Sequence, residues 1–154
     1  MFKMNKYFVI LVLFSTVVSC KSESKQTTSN QDAVKETISI VDTLPLKLNV
    51  NKKWIANVET HKGVSKMDSI LSSFKSNSKK DYKVLGDLLS KQTSYIIQNC
   101  SMTGEPHDQL HVVLIPMLDE ISILREENNE VKAELSITNL EALIKAYFKF
   151  FEER

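Results

Sequence analysis

The sequence predicts an all-α protein: an antiparallel four-helix bundle preceded by a disordered tether and a short extended arm. Three observations carry that expectation. From Val64 onward apolar residues recur at alternating steps of three and four, the spacing that lines one face of a helix. The 154-residue chain has only three glycines and three prolines, too few turn formers for an all-β fold. The breaks between the apolar stripes are short, so consecutive helices pack as antiparallel neighbours.

The chain opens with an export signal. Lys3 and Lys6 give a positive start, and Tyr7 to Phe14 is an apolar core too short to span a bilayer. The tetrapeptide Val17-Val18-Ser19-Cys20 follows. It resembles the lipobox of bacterial lipoproteins. That resemblance implies a signal peptide over 1–19, cleavage before Cys20, diacylglycerol on its sulfur and a palmitate-like acyl group on its new amine. It implies a cell-envelope protein, lipid-anchored to a bacterial membrane, its domain facing the periplasm or the exterior. Two or more acyl chains suffice for stable anchoring. Removing residues 1–19 leaves 135 residues and takes away Lys3 and Lys6, so a formal charge of +1 becomes −1. With no basic excess, nucleic acid is not an expected partner.

Residues 20–43 are read as the lipidated cysteine and a flexible tether. Lys21 to Glu36 is polar, without aromatics, and cannot bury enough surface to offset the entropy of ordering. The domain is placed at 44–154. Leu44, Leu46, Leu48 and Val50 alternate like a short strand, but Pro45 restricts it to an edge or an extended arm lying against the helices. Asn49-Val50-Asn51-Lys52 reads as a turn, and Trp54 as a core or lid residue at the bundle end.

Asn57 suits the N-cap of the first helix, whose stripe is Val64, Met67, Ile70/Leu71 and Phe74. Gly63 within it predicts close packing against a neighbour, with Trp54 the candidate. Ser78 is read as the cap of the second helix, whose face is Tyr82, Leu85, Leu88/Leu89, Ile96 and Cys100. Gly104 turns the chain, and Pro106 is placed as the first residue of the third helix, where a missing N–H costs nothing. Leu110, Leu114, Met117, Ile121 and Leu124 form its seam, with Pro116 expected to kink it. Residues 126–129 read as a loop. The fourth helix starts either at Asn129 or at Thr138, which makes a capping box with Glu141. Its seam is Ile137, Leu140, Ile144, Tyr147 and Phe151.

One stretch concentrates side chains that bind metal. Cys100, Met102, His107 and His111 fall within a dozen residues. His107 and His111 are four apart on one helix face, and His107 extends the third seam toward Cys100. With Cys20 committed to lipid, Cys100 is the odd thiol of an exported protein in an oxidising compartment. Thiolate and thioether select soft metals, and imidazole suits copper and zinc alike. The four together favour copper, with Met67 and Met117 as additional thioethers. The ligand types match the His₂Cys site with weak Met of cupredoxins, whose β-sandwich and spacing differ. The expected role is sequestration or transfer, with a metal-handling protein of the envelope as partner.

Other readings stay open at this point. Cys100 and Met102 fill the bundle end while the histidines sit at a solvated helix start, in a structural or partner-binding lipoprotein with an apolar groove. Alternatively, one histidine and a methionine are axial ligands to haem. No nucleophile–base–acid set, phosphate loop or carboxylate pair stands out, so no enzyme is expected. Residues 82–111, together with Trp54, Asn57, Glu59 and Thr60, are similar to small helical lipoproteins of the Bacteroidetes type, a resemblance that brings no activity with it.

The address label is directly testable. Metabolic labelling with a fatty acid should mark the wild type and leave Cys20→Ala unmarked; equal labelling of both would reject lipidation.

Overall fold

The computed structural model describes residues 39–126 and 128–154. The signal peptide 1–19, Cys20 and the tether as far as residue 38 lie outside the described residues. Four helices carry the fold: α1 (Val58–Ser76), α2 (Tyr82–Asn99), α3 (Glu105–Glu126) and α4 (Glu130–Phe150). Among the described residues, no helix is long and apolar enough to cross a membrane.

The seams read from the sequence form the core. Val64, Met67 and Leu71 of α1, Leu85, Leu89 and Ile96 of α2, all five seam residues of α3, and Ile137, Leu140, Ile144 and Tyr147 of α4 are buried. Each such side chain contributes roughly 1.5–3 kcal/mol relative to exposure. Contacts at the two ends fix the helix directions. At one end Asn57, before α1, reaches the carbonyl of Asn99 at the close of α2. At the other, the Phe74 and Tyr82 rings lie 5.7 Å apart, Tyr82 donates to Glu134 of α4 at 2.7 Å, and Arg125 of α3 pairs with Asp87 of α2 at 2.8 Å. Successive helices therefore alternate in direction.

Helix boundaries follow their caps. Asn57 holds the N-cap position of α1, as expected. The cap of α2 is Asp81 rather than Ser78, its carboxylate accepting from the Val84 amide at 3.0 Å. For α4, Asn129 is the cap, accepting from the Lys132 amide at 3.1 Å, and Thr138 lies inside the helix, where its hydroxyl bonds the Glu134 carbonyl. Helix α3 begins one residue before Pro106 and runs through Pro116 without ending. Gly63 does mark a close approach, but to α2: a Cβ there would lie 2.3 Å from Cγ1 of Ile96. Trp54 is not the neighbour.

Two features depart from the sequence reading. Residues Ile40–Thr43, assigned to the tether, form a 3-10 turn with a capping box between Ser39 and Asp42. Ile40 and Val41 pack on the core, so the domain includes residues before Leu44. The arm from Leu44 lies against the helices, as expected: Leu44 and Leu46 pack on the core, and the Lys47 amide donates to the buried Gln109 side chain at 2.9 Å. Asn49–Lys52 is the expected turn, hydrogen-bonded both ways, with Val50 and Asn51 at positive φ. The second departure is a parallel pair, β1 (Trp54–Ala56) with β2 (Phe151–Glu153), Trp54 opposite Phe151. Phe151 is buried as the seam requires and stacks on Tyr147 at 5.0 Å, but in extended backbone after the helix has ended. Trp54, also buried, donates its indole N–H to the Lys47 carbonyl at 2.7 Å.

Candidate functional site at the bundle end

The start of α1, the end of α2, the start of α3 and the end of α4 meet at one end of the bundle. There α2 stops at Asn99, Cys100 continues in extended backbone, and α3 starts at Glu105. Gly104 makes the reversal possible with φ +65°, a conformation costly for a residue with a Cβ. Its carbonyl then accepts from the His107 and Asp108 amides, both at 3.0 Å, which starts the first turn of α3.

This geometry brings Cys100 and His107 together. Sγ of Cys100 lies 3.6 Å from Nδ1 of His107, and both residues are half-buried. The His107 and His111 rings are 4.3 Å apart between centroids, with His111 on the exposed side. Met102, in the connecting loop, is half-buried against the core. Met67 and Met117 are fully buried among the core side chains. Ten residues separate Met117 from His107, about 15 Å along the helix, so Met117 fills the core instead of joining the group. Among the described residues, no three or more His, Cys, Asp or Glu side chains gather closely enough to hold a metal ion. The close donor pair is Cys100 with His107. Its separation matches the bite of a sulfur and a nitrogen on one tetrahedral ion, about 3.6 Å from the usual metal–ligand lengths.

Two residues at this end escaped the sequence reading as site neighbours. His61, in the first turns of α1, faces Tyr147, with Nδ1 3.4 Å from the phenol oxygen. All three histidines of the chain thus lie near the starts of α1 and α3. His61 carried no pattern in the sequence, because its neighbour Tyr147 is 86 residues away. Burial pushes the Tyr147 hydroxyl well above its usual range, and the negative charge of Glu153 pushes the same way. Glu59 is held below the usual carboxylate range, first by the hydrogen bond from the Asn57 amide.

Two hollows flank the donors. One, lined by Ile55, Asn57, Met102 and Arg154, has a volume of about 170 Å³. The other is an apolar depression beside His111, formed by Leu44, Pro45, Ile115 and Pro116. An apolar groove of about 280 Å³ runs between α1 and α2, lined by Ile70, Phe74, Val84 and Leu88. No family model, no curated protein and no solved structure matches this chain.

Tyr147 gives the fold a pH signature. Its folded value lies above the ordinary 10.0, so its contribution to stability is whole below that pH and is lost as pH rises through the folded value. Between about pH 9 and 11, the urea midpoint of the wild type should fall more steeply than that of Tyr147→Phe. Parallel curves would contradict the burial of an un-ionised phenol.

Proposed function

We propose that this chain is a lipid-anchored protein of the bacterial cell envelope whose bundle end binds copper(I) for sequestration or transfer. The observation that carries the reading is the 3.6 Å approach of the Cys100 thiol to Nδ1 of His107, across the α2–α3 reversal. Those two are the primary ligands. His111, whose ring lies against that of His107, and Met102, at the other edge of the loop, complete the set by side-chain rotation. Thiolate, thioether and imidazole together favour a soft monovalent copper ion over zinc. The proposed role is binding: the thiol, the thioether and the imidazoles are donors to one soft ion. His111, on the exposed side, leaves one face of the ion open to a metal-handling protein of the envelope, and the lipid on Cys20 keeps the domain at the membrane.

The apolar groove between α1 and α2 favours a second reading, a partner-binding lipoprotein without metal. Val84 and Leu88, on its α2 wall, are 52% and 42% exposed, more apolar surface than the bundle needs to leave open.

Competition against a chromophoric Cu(I) chelator separates the two. The protein is the reduced full chain carrying Cys20→Ser, so that Cys100 is the sole thiol. One equivalent should bind. Cys100→Ser and His107→Ala should each remove most of the binding, Met67→Leu should leave it intact, and affinity should weaken in acid as protons compete for the thiolate and the imidazoles. Equal binding by wild type and Cys100→Ser would reject the copper site and leave the partner-binding reading in its place.

A further inference from the structure

The N-cap residue of α1 is diverted from capping. An N-cap Asn ordinarily turns its side-chain oxygen to the amide two or three residues on, a bond typically worth about 1 kcal/mol. Asn57 makes no such bond. Its Oδ1 instead accepts from the hydroxyl of Thr60, fully buried, at 2.6 Å. That contact holds the amide plane. Nδ2 then donates in two directions, to Oε2 of Glu59 at 2.7 Å and to the carbonyl of Asn99 at 3.0 Å.

The second of these bonds matters for the site. Asn99 is the last residue of α2, and its carbonyl belongs to the peptide group whose nitrogen is that of Cys100. The last carbonyls of a helix have no partner within the helix. Here one such carbonyl is held from across the bundle, at the residue before the thiol. The Asn99 side chain is itself tied back to the Tyr95 carbonyl at 2.8 Å. The backbone leading into Cys100 is thus held on both sides.

We infer that Asn57 is a positioning residue for Cys100: its amide, oriented by Thr60, grips the end of α2 and aims the thiol at His107. The inference rests on the soft-metal reading and adds to it a group that touches no ion. Groups that orient a ligand from outside the coordination sphere typically change metal affinity by about 10–100-fold when removed. Asn57 also lines the hollow beside Met102, so the same residue borders the thioether side of the site.

Asn57→Asp separates positioning from folding. Asp is as good an N-cap as Asn and still accepts from Thr60, but it has no donor for the Asn99 carbonyl. In the full chain with Cys20→Ser, Cu(I) affinity should fall about tenfold, while helix content and the urea midpoint stay near those of the parent. The metal-free variant should also alkylate faster at Cys100, a readout that a purely structural cap would not move. Asn57→Ser, which caps but has no side-chain amide to extend to the Asn99 carbonyl, gives the same result should the added charge beside Glu59 disturb folding. Glu59→Gln, which leaves the grip on Asn99 in place, should bind within about twofold of the parent. A parent chain that binds no Cu(I) overturns the metal reading and this inference with it. A parent that binds, with Asn57→Asp and Asn57→Ser matching it in affinity and alkylation rate, overturns the inference alone.

Discussion

The chain reversal between Asn99 and Glu105 is the constraint on which the rest of the structure depends. Helices α2 and α3 pack side by side, at separations that run about 8–10 Å between helix axes. The five residues from Cys100 to Gly104 must turn the chain round within that distance. Only a residue that takes positive φ readily can close the turn, and Gly104 does so. With the turn closed, the residue leaving α2 and the residue entering the first turn of α3 face each other. Those residues are Cys100 and His107, whose side chains meet at 3.6 Å.

Other parts of the molecule hold that reversal in place. Asn57 joins the start of α1 to the end of α2. The arm crosses the start of α3, its Lys47 amide on Gln109 and its Lys47 ammonium 2.7 Å from Glu105. Trp54 fixes the same carbonyl-bearing residue from below, and its strand is clasped to Phe151–Glu153, so the two ends of the helical domain are tied together. The Glu105 pair is exposed on both sides and contributes little by itself. The buried Gln109 acceptor matters more, because removing it would leave a main-chain donor without its partner.

The helical fold was legible because burial by one face leaves a period in the sequence. The seams of α3 and α4 were readable residue by residue, and the thiol and imidazoles near the turn were visible from spacing alone. What was not legible depends on distance along the chain. The β1–β2 pair joins residues 54 and 151, and three-residue strands show no alternation to read. Phe151 continued the helical stripe so well that its extended backbone was hidden. Asp81 displaced Ser78 as cap through a local bond to the Val84 amide, whereas the choice of Ile96 over Trp54 as the neighbour of Gly63 was decided by tertiary packing. His61 and Tyr147 joined the bundle end for the same reason. The relation of Asn57 to Asn99 spans 42 residues, and a favourable N-cap in the sequence gave no hint that its side chain would be used elsewhere.

The proposed copper site sets one soft ion between ligands from both sides of the α2–α3 reversal. X-ray absorption at the copper edge of the Cu(I)-loaded protein tests it most directly. Such a site gives a single environment in which sulfur and imidazole nitrogen share the inner shell, with the imidazole multiple-scattering pattern lost in His107→Ala and the short sulfur contribution lost in Cys100→Ser. A shell of sulfur alone, or of oxygen alone, or one unchanged by either substitution, would contradict it.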